Sequence, residues 1–193
     1  MSLLMRLAIY NFGIQIAPYN NPRVAGFARR EPLNFQSAER SEGFIARSGY
    51  DGEPGPPSWG EQVFPRFLKE NGAASGVSSL SLWRDIESVM AYSYSGVHAE
   101  ALKHGRHWNI PQQWPPLVLW WVDATHQPVW SQAVERLEHL HDQGPSPRAF
   151  HFKMPFDADG APAAINRGRV KDISERNAAG QRELLAQVQA IPV

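Results

Sequence analysis

The chain has 193 residues, equal numbers of acidic and basic side chains, and a formal net charge of zero at neutral pH. This length suits one domain with a substantial core, or one domain and a tail. A neutral balance provides no basic surface for nucleic acid and no polybasic membrane patch, so neither partner is expected. Because the chain has no cysteine, disulfides, zinc–thiolate sites, iron–sulfur clusters and thiol nucleophiles are excluded.

The hydropathy pattern bears on cellular location. Residues 1–13 contain only a short apolar run, which Arg6 interrupts, and no small-residue cleavage site follows it. No other stretch approaches the length of a membrane span. We therefore expect a cytoplasmic protein.

The first third of the chain is typical of a strand, a helix and a second strand. Residues 7–16 predict a strand with apolar side chains on both faces. A helix should begin at Pro22, the position that favours proline, and Pro32 should bend or briefly break it. Gly43 should end the helix, and residues 44–48 predict the second strand.

Residues 50–76 are the least regular part of the core region, with several glycines and prolines. Two interpretations are open. The segment is either a surface excursion, as long loops usually are, or a lid that carries Trp59, Phe64 and Phe67 over a pocket.

The rest of the chain is organised around an alternating strand at residues 80–83 that leads directly into a helix. Leu80 and Leu82 point to one face of this strand, because side chains alternate with period two. The Asp85 side chain is suited to accept hydrogen bonds from the free N–H groups of a helix start. The helix is therefore predicted to begin at Ile86.

On this helix, Met90, Tyr94 and His98 recur every four residues and should lie along one edge of the buried stripe. A phenol and an imidazole next to the core are the first candidates for chemistry. Three interpretations are open: hydrogen bonding to backbone or water, axial ligation of haem or another metal by His98, and binding or proton transfer on an organic substrate.

The second half predicts two further strands and two helices. Residues 117–122 form an uninterrupted apolar run that suits a strand buried on both faces. A helix should begin at Pro128 and end at Gly144. Residues 148–156 alternate, which predicts a last strand, and residues 172–191 predict a largely solvated helix. Such a helix is marginal alone, so it should dock, with a neighbouring subunit as one choice.

The element order predicts an α+β fold, a ferredoxin-like sandwich with an antiparallel sheet and an additional C-terminal helix and strand. We assign residues 1–156 to this domain, with residues 50–76 as a long loop. Residues 157–193 form a C-terminal extension that is helical in part.

Other histidines are weaker candidates. Glu100, His104 and His107 share one helical face and could hold a divalent metal if the helix persists through Gly105. Exposed side chains at a helix end are more often solvated, so no metal site is predicted. His126 lies in a turn where local capping bonds are the favoured role.

Six short motifs are spread over residues 7–156. They are LAIYNFG at Leu7, AGF at Ala25, Ser-x-Trp at Ser81, Tyr-x-x-x-His at Tyr94, LVLWWV at Leu117 with His126 after it, and Gly-Pro-Ser-Pro-x-Ala-Phe at Gly144. Together they resemble a bacterial family of unknown function in the dimeric α+β barrel superfamily. That superfamily also includes antibiotic-biosynthesis monooxygenases, haem-degrading monooxygenases and, distantly, spheroidene monooxygenase.

The resemblance implies a homodimer in which two sheets meet face to face and leave a pocket between each sheet and its helices. It also implies that a Trp ending the third strand and a His in the next helix lie in that pocket, positions that Trp83 and His98 occupy here. The family usually has Asn where this chain has Ser79, and Asn11 on the first strand could replace it.

The first functional hypothesis is a homodimer whose pocket binds a small, largely apolar or aromatic molecule. It would oxidise that molecule as a monooxygenase-like enzyme, cofactor-free or with haem at His98. Trp120 and Trp121 face opposite sides of their strand, and the sequence leaves open which faces the pocket. The candidate catalytic residues are His98 and Tyr94, and the candidate binding residues are Trp83, Tyr10, Asn11 and Trp120.

The alternative hypothesis is a non-catalytic small-molecule-binding or scaffold dimer, in which the aromatic residues build the subunit interface. A packed interior beside Tyr94 and His98 would favour the scaffold. Since there is no phosphate-binding glycine loop and no Gly-x-Ser-x-Gly motif, kinase and hydrolase functions have no support.

Overall fold

A four-stranded antiparallel sheet lies at the centre of the computed structural model, which describes residues 5–193. Residues 1–4 of the predicted domain lie outside the described range. The strands are β1 (Met5–Gly13), β2 (Phe44–Arg47), β3 (Val77–Trp83) and β4 (Leu117–Asp123). Their order in the sheet is β2-β3-β1-β4, and this arrangement confirms the predicted ferredoxin-like α+β fold.

Seven α-helices are formed by residues 5–193, and two short 3-10 turns, Pro22–Val24 and Gly105–His107, accompany them. None of these helices has both the length and the apolar character needed to cross a membrane. The helices are α1 (Ala25–Glu39), α2 (Phe67–Glu70), α3 (Ile86–Tyr94), α4 (Gly96–Leu102), α5 (Trp130–Gln143), α6 (Arg167–Gly180) and α7 (Arg182–Gln189).

The junction of β3 and α3 forms as predicted. Asp85 is extended, and its side chain accepts a hydrogen bond from the Ser88 N–H at 2.9 Å. Burial alone would raise the pKa of Asp85, but hydrogen bonds from Arg84, Ser88 and Arg169 outweigh it and leave that pKa below its ordinary value. The helix therefore begins at Ile86 with a charged cap.

The two faces of the sheet are covered by different helices. Ala8, Tyr10 and Phe12 of β1 belong to a core that includes Trp130 and Leu137 of α5. The opposite face meets the layer of α1 and α3. Its core is formed by Leu7, Ile9, Ala38, Trp83, Ile86, Val89, Met90, Leu119, Phe150 and Phe152.

Residues 50–76 are irregular apart from α2, but their aromatic side chains are not at the surface. Trp59 is only 6% exposed and packs in the α5 core. Phe67 stacks on Trp114 with ring centroids 5.3 Å apart. Neither open interpretation describes these side chains, because they complete the core on the α5 face of the sheet.

Coverage of the α5 face bears on the expected dimer. A face-to-face pair of sheets requires one sheet face to be open to the partner, and among the described residues both faces are covered by the chain itself. A homodimer stays a prediction, and it would need another surface.

Three predicted elements differ from those observed. Helix α1 continues through Pro32 without a break. Residues 148–156 do not form a strand; only Phe150 pairs with Leu119 of β4, because tight turns on either side, closed by bridges Ser146–Ala149 and His151–Met154, leave no extended run. The 172–191 helix is two helices, α6 and α7, and α6 already begins at Arg167.

The C-terminal helices dock on their own chain. Helix α6 packs on α3, and α7 packs on α4 and α1. Arg169 forms ion pairs with Asp85 and with Glu87, the latter at 3.3 Å. The Ser37 hydroxyl donates to the side-chain oxygen of Gln181 at 2.6 Å, and the Gln181 side-chain N–H donates to the Ser37 carbonyl at 3.1 Å. These contacts hold the extension against the helix layer.

Candidate functional site

A cavity of about 650 Å³ lies between the sheet and the layer of α1, α3 and α4. Its size is within the range of small-molecule sites. The cavity is where the resemblance placed a pocket, and its lining combines an aromatic wall with a polar floor. The aromatic wall includes Phe27, Phe35, Phe44, Tyr50, Tyr92 and Trp108.

The polar floor is provided by β1 and β3. Asn11 and Ser79 are partners in the strand register, and the Asn11 Oδ1 accepts hydrogen bonds from the Ser79 N–H at 3.0 Å and the Ser79 hydroxyl at 3.1 Å. Ser81 lies two residues further along the same face, and its Oγ accepts a hydrogen bond from the Trp83 indole at 2.9 Å. Asn11, Ser79 and Ser81 all line the cavity.

His98 lines the cavity from α4 and is half-buried. Its Nδ1 lies 2.8 Å from the carbonyl oxygen of Ser93. Burial lowers the pKa of His98, and the hydrogen bond to Ser93 raises it by less. His98 is therefore a neutral imidazole at neutral pH. This is the protonation state that a proton acceptor or a metal ligand needs.

Tyr94 and His98 both line the cavity, but not as neighbours on one helix. Helix α3 ends at Tyr94, Ser95 is extended, and Gly96 takes a φ of +54°, which restarts the chain as α4. The predicted four-residue stacking is wrong for His98, because it assumed one continuous helix, and only Met90 and Tyr94 share α3. Tyr92 is the aromatic neighbour of His98, with ring centroids 4.9 Å apart.

Tyr94 is instead 54% exposed and packs edge-on against Phe152, with centroids 5.6 Å apart. Partial burial raises its pKa above the ordinary value. The tyrosine therefore lies where the cavity meets solvent. In this position it contributes apolar surface and a protonated phenol.

Trp83 lies behind the cavity wall rather than in it. It is fully buried, stacks on Tyr92 with centroids 5.1 Å apart, and meets Phe44 edge-on at 5.3 Å. Both of these partners line the cavity. Trp83 supports the lining residues and fixes the Ser81 hydroxyl.

Tyr10 and Trp120 lie on the opposite face of the sheet, so their predicted place in this pocket is corrected. Strand alternation turns Tyr10 away from its neighbour Asn11 and toward Trp130 of α5, with centroids 6.2 Å apart. Trp120 shares that face and is buried in the same core. Trp121 faces the other side, but its indole donates to the Phe156 carbonyl at 2.8 Å and does not line the cavity.

Comparison with family models finds one described as a domain of unknown function (DUF3291), which matches residues 6–166. The chain belongs to the DUF3291 family. Comparisons with curated proteins and with solved structures find no match. The match ends immediately before α6, so the two C-terminal helices lie beyond the DUF3291 domain.

Arg30 is a feature of this DUF3291 protein that the sequence did not indicate. It is 2% exposed, lines the cavity, and lies over the Trp108 ring at 5.2 Å. Its guanidinium donates to the carbonyls of Gly26 at 2.9 Å, Pro192 at 3.0 Å and Ile191 at 2.6 Å. Burial lowers its pKa. Two of these acceptors lie in the C-terminal extension, at a sequence distance that no local motif signals.

The weaker histidine candidates have local partners. His104 Nε2 lies 3.4 Å from Glu100 Oε1, and His107 lies in a 3-10 turn rather than on the same helix. His126 Nε2 lies 3.0 Å from the side-chain oxygen of Gln132 in α5. Within residues 5–193 no group of three or more His, Asp or Glu side chains is placed to hold a metal ion.

Proposed function

We propose that this DUF3291 protein binds a small, largely apolar or aromatic molecule in the cavity between its sheet and helices. The observation that carries the proposal is the cavity itself, of about 650 Å³ and with His98 in its wall. Its aromatic wall would bury the flat surface of such a molecule, and its polar groups would orient it. A scaffold would instead be expected to pack the same space with side chains.

Catalysis is an extension of this proposal. A neutral His98 with its Nδ1 held by Ser93 is suited to accept a proton from a bound molecule. Monooxygenase-like oxidation rests on the sequence resemblance alone. Oxygen consumption by the protein with a bound candidate substrate, compared between wild type and His98→Ala, would test it.

Haem is a second candidate ligand, because neutral imidazole is a common axial ligand. The residues present fit axial ligation at His98. Of the arginines in the lining, Arg30 is held by backbone carbonyls and Arg47 by Glu39 at 2.8 Å, so Arg106 is the cation left for haem carboxylates. We expect any saturable Soret shift with haemin to disappear in His98→Ala and to persist in His104→Ala, outside the cavity lining.

The binding proposal is tested with N-phenyl-1-naphthylamine, a neutral aromatic probe that fluoresces in apolar sites. We expect saturable binding of one probe per chain. Ala101 lines the cavity from α4 and Ala99 does not, so Ala101→Trp should weaken binding strongly whereas Ala99→Trp should leave it near wild type. The absence of saturable binding, or equal effects of the two variants at equal thermal stability, would contradict the proposal.

Self-association belongs to the same proposal but to a different surface. We expect a homodimer that leaves the α5 face of the sheet covered as it is in the single chain. Light scattering at several protein concentrations measures the mass directly. A constant monomer mass would remove the homodimer from the proposal without affecting the cavity.

A further inference from the structure

The hydrogen bonds that His98, Asn11 and Ser81 already make determine which of their polar atoms remain for a ligand. A backbone carbonyl only accepts, so the contact between His98 Nδ1 and the Ser93 carbonyl requires Nδ1 to carry the proton. In a neutral imidazole the other nitrogen is then an acceptor. Among the described residues, His98 Nε2 has no hydrogen-bond partner, so the helix side of the cavity presents an acceptor.

Asn11, on the sheet side of the cavity, offers hydrogen-bond donors rather than an acceptor. Its Oδ1 receives both the N–H and the hydroxyl of Ser79, which fixes the orientation of the amide. The Asn11 Nδ2 group, with two N–H donors, makes no hydrogen bond to any described residue. The sheet side of the cavity therefore presents a donor at Asn11.

Ser81 adds a second donor next to Asn11. Its Oγ already accepts the hydrogen bond of the buried Trp83 indole. The tryptophan N–H can only donate, so the hydroxyl proton of Ser81 remains for an acceptor. The floor thus offers the N–H of Asn11 and the O–H of Ser81, and both residues line the cavity.

We propose that the cavity selects aromatic hydroxy-ketones, with the carbonyl oxygen at Asn11 and Ser81 and the hydroxyl at His98. This inference rests on the proposed binding function and specifies its ligand class. A ligand that lacks one group would leave a desolvated polar group of the protein without a partner. Such a loss weakens binding by about 10-fold to 100-fold.

Three related compounds separate the two contacts. 4-Hydroxyacetophenone has both groups, 4-methoxyacetophenone lacks the donor, and 4-ethylphenol lacks the acceptor. Each is titrated against bound N-phenyl-1-naphthylamine to measure its dissociation constant. On wild-type protein we expect 4-hydroxyacetophenone to bind at least about 10-fold more tightly than either of the others.

Variants then assign the preference to particular residues. The His98→Phe variant should bind 4-hydroxyacetophenone and 4-methoxyacetophenone equally tightly. It should still bind 4-hydroxyacetophenone more tightly than 4-ethylphenol. Asn11→Leu with Ser81→Ala should have the reverse effect. A preference for hydroxyl that survives in His98→Phe would overturn the assignment of His98.

The outcomes distinguish this inference from the function on which it rests. If N-phenyl-1-naphthylamine binds and the three compounds compete equally, the ligand class is wrong and the binding function stands. If the probe itself does not bind, both fall. Because the comparison of compounds uses wild-type protein, it remains decisive even where a variant fails to fold.

Discussion

Asn11 and Ser79 face each other across β1 and β3, and the side-chain oxygen of Asn11 accepts both the N–H and the hydroxyl of Ser79. The family that the sequence resembles usually has an asparagine at the position of Ser79. Here the amide group is supplied by the neighbouring strand and lies directly beside that position. The two residues form one polar unit in a wall that is otherwise mostly apolar.

The coupling between Asn11 and Ser79 is measurable. Ser79→Ala should lower the free energy of unfolding by about 0.5–1.5 kcal/mol, because it removes one neutral hydrogen bond. In an Asn11→Leu background the same substitution should cost little, because its partner is already absent. Urea unfolding of the two single variants and the double variant gives the interaction energy. Additive effects would show that the two side chains do not interact in solution.

The pH dependence of stability should report the burial of His98. Burial lowers its pKa in the folded chain, and in the unfolded chain the pKa is about 6.5. Below about pH 6.5 the unfolded state therefore binds a proton that the folded state does not, so stability decreases as the pH falls. Unfolding measured between pH 7 and pH 5 should show this decrease, and His98→Gln should reduce its slope. An unchanged slope in the variant would contradict the assignment.

The C-terminal carbonyls should be needed to keep Arg30 buried. Removing residues 191–193 deletes two of its hydrogen-bond acceptors and leaves a buried guanidinium partly unsatisfied. We expect a loss of at least about 1–3 kcal/mol in unfolding free energy, measured by urea unfolding. Deleting Val193 alone is the matched control, since this residue is exposed and Pro192 and Ile191 remain. Equal stability of the two truncated proteins would contradict the stabilising role of the hydrogen bonds from Arg30 to the Ile191 and Pro192 carbonyls.

Two aromatic residues should separate stability from binding. Trp59→Ala should destabilise the protein by about 3–5 kcal/mol, because the side chain is buried in the α5 core. Tyr94→Ala should change stability by less than about 1 kcal/mol, because over half of the side chain is exposed, and should weaken probe binding at the cavity. Thermal unfolding and probe titration on both variants check the pair. Comparable destabilisation by Trp59→Ala and Tyr94→Ala would contradict the prediction that only Trp59 is needed for the core.

The parts of the fold that were predictable from sequence depend on short-range signals. Asp85 and the alternation before it predict both the end of β3 and the start of α3, because capping and strand periodicity act over a few residues. The ferredoxin-like order follows from such signals taken in sequence. The break at Ser95 and Gly96 was not predicted, since the apolar stripe continues across it in α4.

The features of the fold and the cavity that the sequence does not predict depend on contacts between distant segments. Alternation on β1 shows that Tyr10 and Asn11 face opposite sides, but not that α5 covers one side and a cavity lies on the other. The sequence therefore does not decide which of the two residues faces the cavity, and the prediction of both in one pocket is wrong, because neighbouring residues of one strand face opposite sides. The hydrogen bonds from Arg30 to the Ile191 and Pro192 carbonyls join residues more than 160 positions apart, and no local pattern indicates them.

The alternation of β1 has a consequence for how this protein can change. Ala8, Tyr10 and Phe12 belong to a packed core that tolerates little change in volume, while Asn11 lies on the other face of the strand and lines the cavity. Substitutions in the packed core therefore act on folding, whereas substitution of Asn11 also changes the polar groups that the cavity offers to a ligand. A lineage of such proteins could alter what it binds through Asn11, Ser79 and Ser81 without repacking the side that holds it together.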